Sequence, residues 1–287
     1  MLVVAVLLGI LALALAWPVP VALAGAAWPA HSPGVALALW QAIAVAGGVS
    51  MIGSLLLFGA APAGSLFGAW TALAPAMFTG PLPAGFGVVH LAALTLAAGL
   101  AVHLALNLAV TAVRAERERR RQHQLVALLG DPIPGEPRTR VLAHPVPLAY
   151  CVPGIRTATV LTDGLVETLR ADELAAVIAH ERTHLDQLHH LVLLAFRAWH
   201  SALPWFPIAN RAERAVAQLT EMLADDGARH ATGDDSVRRA IIQVGSAGEP
   251  GAYADAGGVS PDLAMLEARL ARLAPSTAQH TQNPPRV

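Results

Sequence analysis

Residues 1 to 113 contain no Asp, Glu, Lys or Arg, whereas from Arg114 onward charged and apolar positions interleave with helical and strand-like periods. A soluble domain needs a solvated surface, and a charge-free stretch of this length has none, so the pattern places it in lipid. About 20 apolar residues cross the hydrocarbon core as a helix. The stretch divides into three candidate spans, about 1–24, 35–60 and 86–113, separated by Pro/Gly-rich runs at about 18–34 and 61–87. Trp17, Trp28 and Trp40 suit interfacial positions, with Trp40 equally able to face lipid or another helix. Ala22-Leu23-Ala24 would allow a cleaved signal peptide, but no positive charge precedes the apolar run.

The second half reads as a small α+β domain. Val141, Leu142, Val146, Leu148, Tyr150, Val152, Thr157, Thr159 and Val160 predict a small sheet over 139–162 with a turn at Pro153-Gly154. A helix over about 172–189, N-capped by Asp172, follows, and further helices are expected at 209–230 and 235–246. Residues 190–208 are apolar, but Arg197, His200, Pro204 and Pro207 interrupt the run. They predict a helix packed in the domain or lying at the membrane surface with Trp199, Trp205 and Phe206 in the interface; a spanning or hairpin segment is the alternative. A Gly/Ala-rich linker leads to Ser260-Pro261, an N-cap with proline at the first helical position. Leu263, Leu266, Leu270 and Leu273 then form one stripe able to dock on the domain or on a partner, before a tail over 275–287 expected to be disordered.

The chemistry is concentrated in His180-Glu181-Arg182-Thr183-His184. Side chains four apart on a helix lie one above the other, so His180 and His184 can reach one cation while Glu181 faces the attacking water. Catalytic zinc takes three protein ligands, and Glu221, on the 209–230 helix, can complete the set. Asp225, one turn further, can accept a hydrogen bond from a ligand histidine. The bland alternative makes Glu221 and Asp225 solvated helix charges. His189 and His190 follow the motif without an assigned role, and Arg211, Arg214 and His230 are candidate oxyanion stabilisers. His90, His103 and Asn107 are polar residues in the third span, suited to function or to helix-to-helix hydrogen bonds. Cys151, the sole cysteine, excludes an intramolecular disulfide and is expected as a small buried residue of the sheet.

Orientation follows from Arg114, Arg117, Arg119, Arg120 and Arg121, a cluster that stays on the cytoplasmic side of a membrane. With three spans, the amino terminus lies outside and the second half in the cytosol. A net charge of -1 with no recognition-helix pattern argues against direct nucleic-acid binding.

Ala149-Tyr150-Cys151-Val152-Pro153-Gly154, Thr159-Val160-Leu161-Thr162-Asp163-Gly164-Leu165, Leu174 through Leu185 and Glu221-Met222-Leu223-Ala224-Asp225 occur in the order found in the BlaR/MecR-type membrane zinc metallopeptidases, which the chain resembles from about 140 to 230. The resemblance implies a zincin-like, gluzincin-type α+β domain binding one Zn2+ per chain through His180, His184 and Glu221. Glu181 would be the general base and Asp225 the partner behind a ligand histidine. It further implies regulated cleavage of a protein substrate in a bacterial cell membrane, with a cytosolic transcriptional repressor as a plausible target and self-cleavage as an activating step. The chain departs from that family in carrying no later span and no extracellular sensor domain, which puts direct β-lactam sensing in doubt.

The expected organisation is mainly α: a transmembrane region over 1–113, a basic juxtamembrane linker over 114–139, a cytosolic metallopeptidase domain over 140–247, and a linker, amphipathic helix and tail over 248–287. In peptidases of this kind an exposed strand beside the zinc helix commonly holds the substrate, and Thr157 to Thr162 is the candidate edge, with a purely core strand as the alternative. A homo-oligomer is compatible with the sequence. Two rival functions are a membrane quality-control or prenyl-protein-type peptidase, and a nonenzymatic receptor or scaffold with a structural metal.

Overall fold

The computed structural model describes residues 1–133, 136–154, 157–204, 207–247 and 263–274. Trp205, Phe206, the Ser260-Pro261 cap, the linker before it and the tail after 274 lie outside the described residues. The chain forms two compact units, Met1–Glu116 with Leu191–Val216, and Arg117–His190 with Ala217–Val287. It is mostly helical, with apolar helices first and a small mixed sheet in the second unit.

In the first unit, α1 (Leu2–Ala16) and α2 (Pro18–Ala24) are separated only at Trp17, and α3 (Pro33–Gly59) is continuous. α4 (Leu66–Thr79) occupies a stretch expected as a Pro/Gly-rich connection; its Ser65 cap accepts from the Gly68 N–H at 2.9 Å, and Pro75 is tolerated inside it. α5 (Val88–Leu129) continues the third apolar run through the arginine cluster, so residues 114–129 are helix. Leu2–Ala24, Pro33–Gly59 and Val88–Leu129 are long and apolar enough to cross a membrane. Small residues bring α1 and α3 close, and Ser54 Oγ donates to the Ala5 carbonyl at 2.8 Å. Trp40 is 2% exposed and faces other helices, not an interface.

The apolar 190–208 stretch is mainly α8 (His189–Ala202), and α9 (Pro207–Thr232) follows. Ion pairs join the two helices: Glu213 lies 2.7 Å from His200 and 3.8 Å from Arg197. The end of α8 is tied to α5, where Ser201 Oγ donates to Asn107 Oδ1 at 2.7 Å and His103 Nε2 meets the Ala202 carbonyl at 3.1 Å. His103 and Asn107 thus serve helix-to-helix hydrogen bonding. His90 stacks on Phe58, with ring centroids 5.5 Å apart.

The second unit is built on a sheet of order β1-β2-β4-β3, from β1 (Gly130–Ile133), β2 (Glu136–Leu142), β3 (Ala149–Val152) and β4 (Ala158–Thr162). It begins earlier than the pattern over 139–162 predicts. β2 and β4 are parallel, and the outer pairs are antiparallel. Strand alternation sends Tyr150, Val152 and Val160 to one face, against Val126 at the end of α5. Leu161 and Ala149 point to the other face, against Leu165, Leu174, Val177 and Ile178 of α6 (Asp163–Thr168) and α7 (Ala171–Asp186).

α7 starts at Arg170, whose backbone N–H donates to Glu173 at 3.0 Å. The expected N-cap, Asp172, already lies inside the helix; its carboxylate accepts from Ser236 at 3.0 Å and Arg239 at 2.6 Å of α10 (Asp234–Ala247). α11 (Leu263–Arg272) docks through Leu266 and Leu270, with Leu273 just beyond it, on Ala176, Ala228, Val237, Ala240 and Ile241.

Thr162 closes the turn that leads from sheet to motif helix. Its hydroxyl donates to Val146 O at 2.8 Å and accepts from the N–H groups of Leu148 at 2.9 Å and Leu165 at 3.3 Å, at 2% exposure. Thr162→Val keeps the shape and leaves those N–H groups unpaired, so we expect a loss of about 1–3 kcal/mol in unfolding free energy. Denaturant melts of the detergent-solubilised chain measure it.

Candidate metal centre

α7 and α9 carry the cluster. The helical period sets His180 Nε2 and His184 Nε2 3.1 Å apart, and α9 brings Glu221 to 3.4 Å from each, through Oε2 and Oε1 respectively. One ligand atom from each of the three residues lies within 4.8 Å of the others. The approach of the helices depends on Gly227, where a Cβ would stand 2.7 Å from Thr183 Cγ2 and 2.9 Å from Thr183 Cβ. Thr183 sits inside the motif, 9% exposed, with its hydroxyl donating to Ala179 O at 2.8 Å.

Behind His180, Asp225 Oδ1 lies 3.0 Å from Nδ1, and Asp225 is 1% exposed. A carboxylate only accepts, so Nδ1 carries the proton and Nε2 is the atom left for a metal. The sequence pattern does not reveal the next partner: Arg269 of α11 donates to both Asp225 oxygens at 2.7 Å and reaches Glu221 Oε2 at 3.2 Å. Arg272 beside it binds Asp226 at 2.8 Å and the Met222 carbonyl at 3.1 Å. The leucine stripe foretold a docked helix, but nothing in its spacing said which charge its other face would deliver.

Glu181 is set one step round α7, facing the sheet. Burial raises its carboxyl pKa, against the pull of His180 and His184. Cys151 is half-buried and hydrogen-bonded to both Glu181 and Thr159; burial, then the Glu181 charge, push its thiol up to about 12. It is therefore a neutral S–H donor beside the candidate base. Burial opposes ionisation of Glu221, but hydrogen bonds from His180 and His184 and the charge of Arg269 hold its carboxyl well below the usual range.

The motif helix ends sooner than its pattern predicts, at Asp186, and His189 begins α8. His189 is 1% exposed, and its Nδ1 lies 2.9 Å from His184 Nδ1. Burial pushes its pKa down to about 4, so it is neutral at ordinary pH. His190 is half-buried, and its Nδ1 has no hydrogen-bond partner among the described residues. Of the candidate oxyanion stabilisers, His230 turns back on the Asp226 carbonyl of its own helix and Arg214 on that of Asn210. Arg211 and Arg214 belong to the first unit.

The expected substrate edge is corrected by the sheet order. β4, which contains Thr159 to Thr162, is paired on both sides and cannot accept another strand. Among the described residues β3 is the outer strand on that side, and its Cys151 meets Glu181.

Residues 112–245 match the model of peptidase family M48. The match spans the sheet, α6 to α9 and most of α10, and it includes His180, Glu181, His184 and Glu221. The likeness is to a metallopeptidase family and does not select the BlaR/MecR type that the sequence resembles. No curated protein and no solved structure matches the chain. Two imidazole nitrogens and a carboxylate converging on one point, each histidine backed on its far nitrogen, are a donor set that suits zinc.

Two measurements follow from the geometry. Gly227→Ala forces Thr183 and the motif turn away from α9, so zinc affinity and unfolding free energy should both fall, the latter by about 1–3 kcal/mol. Unchanged values of both would mean the helices separate without cost. The second concerns pH. Burial favours neutral His180, but the carboxylates of Asp225 and Glu221 prevail and carry its pKa from 6.5 up to about 10. In the metal-free chain that proton contributes stability fully present below pH 6.5 and lost as pH rises through about 10. A metal must displace it, so apparent zinc affinity should weaken about tenfold per unit as pH falls from about 9 to 7. Chelator competition across that range reads the slope, and a flat profile would remove His180 as the titrating ligand.

Proposed function

We propose that this chain is an integral-membrane zinc endopeptidase that hydrolyses peptide bonds of a protein substrate on the cytosolic side of a bacterial membrane. The observation that carries the reading is the convergence of His180, His184 and Glu221 on one point, with Glu181 on the adjoining face, inside the segment that matches a metallopeptidase family. His180, His184 and Glu221 would hold one Zn2+. When bound, zinc supplies a Lewis acid that polarises the scissile carbonyl and lowers the pKa of water.

The chain's own groups do the rest. Glu181 takes the proton of the attacking water and returns it to the leaving amine; its raised pKa brings it closer to neutrality, where a general base works best. Asp225 holds the Nδ1 proton of His180, and Arg269 balances the two carboxylates. β3, the outer strand among the described residues, offers backbone groups to an extended peptide, which would lie along the strand that carries Cys151 past Glu181. The arginine cluster from Arg114 to Arg121 favours the cytosolic side. Regulated cleavage, such as that of a transcriptional repressor, is the role implied by the BlaR/MecR resemblance.

Glu181→Gln tests the chemistry. It should keep about one zinc per chain by elemental analysis and lose peptide hydrolysis by about 10²–10⁴-fold. Hydrolysis at the native rate would sink the assignment, and an intact biological output would favour the receptor or scaffold reading. Mass spectrometry of cells with native and Glu181→Gln chains separates the substrates. A single cleaved site in one protein supports signalling, whereas cuts in many unfolded membrane proteins support quality control.

A further inference from the structure

The path of the chain after the motif is unusual. Leu188, between the end of α7 and the start of α8, has φ +53°, a left-handed conformation that a leucine adopts only under constraint and that glycine usually fills at a helix end. Its own packing does not hold it there, because Leu188 is 52% exposed. The conformation instead turns the next residue back: His189 is buried and lies edge-on to His184, with ring centroids 4.8 Å apart and planes at 84°.

Hydrogen bonds then run in one direction. Gln187 Oε1, an acceptor, is 3.0 Å from His189 Nε2, so Nε2 carries that ring's proton and Nδ1 presents a lone pair. That lone pair faces His184 Nδ1 at 2.9 Å, which must therefore donate. His184 Nε2 is left unprotonated and faces His180 Nε2 and Glu221. Asp225 plays the corresponding part for His180 from α9.

We propose that His189 is a positioning residue for the metal centre: with Gln187, it fixes the tautomer and ring orientation of His184, and the strained backbone at Leu188 exists to deliver it. The inference rests on the zinc reading above.

The test uses the full chain in detergent, with zinc dissociation constants from chelator competition and the visible spectrum of the Co2+-loaded chain. In His189→Asn the amide oxygen can stand where Nδ1 stands, and affinity should stay within about threefold of native. His189→Gln places its amide one bond farther out, and His189→Leu has no acceptor; both should bind zinc about 10–100-fold more weakly and shift the Co2+ bands. The Asn and Gln variants are both polar and of similar size, so their difference holds even if the Leu variant fails to fold. Native affinity in the Gln variant, or equal loss in Asn and Gln, overturns the proposal. A native chain that binds no zinc would instead overturn the functional reading on which it rests.

Discussion

Two imidazole nitrogens facing one another at 3.1 Å repel unless a proton or a metal ion stands between them, and the polar interior of the second unit is organised around that demand. Glu221 brings negative charge to the same point. Asp225 and His189 approach the two rings from behind, one as an anion and one as a neutral ring, so each histidine is held with the same nitrogen turned inward. The burden falls on backbone as much as on side chains. Gly227 provides the close approach of two helices, and Leu188 accepts an unfavourable dihedral angle.

The apolar core is arranged to keep those helices still. Leu161, Leu165 and Leu169 support α7 from the sheet side, while Ala176 and Ala228 pack with α10 and α11 from the other. Asp172 and Glu173, in the first turn of α7, are tied to Arg239 on α10. Polar side chains act differently in the first unit. There His103, Asn107 and Ser201 hold one helix to another through hydrogen bonds between apolar surfaces.

What was legible in the sequence follows the range of the interactions. The pentapeptide is a local geometric object, and one helical turn suffices to place His180, Glu181 and His184. Glu221 and Asp225 were legible because their four-residue spacing repeats that logic on a second helix. The apolar runs were legible because exclusion of charge over more than a hundred residues has one common cause. The short helix α4 was obscured by its proline and glycines, and the helical course of 114–129 by its charge. The order of strands could not be read, since pairing joins segments distant in the chain and strand composition does not say which neighbours meet; among the described residues the outer position fell to β3 and not to β4. Arg269 was hidden for a related reason. It sits 44 residues from Asp225, and only the docking of a leucine stripe decides what it meets.

That long reach has a consequence in time. A polypeptide is made from its amino end, so the apolar helices, the motif and Glu221 all exist before Arg269 has been synthesised. Until then Asp225 and Glu221 form an acidic pair without the guanidinium that lies against both. The helix that brings Arg269 to those two carboxylates is thus the last part of the cluster to leave the ribosome.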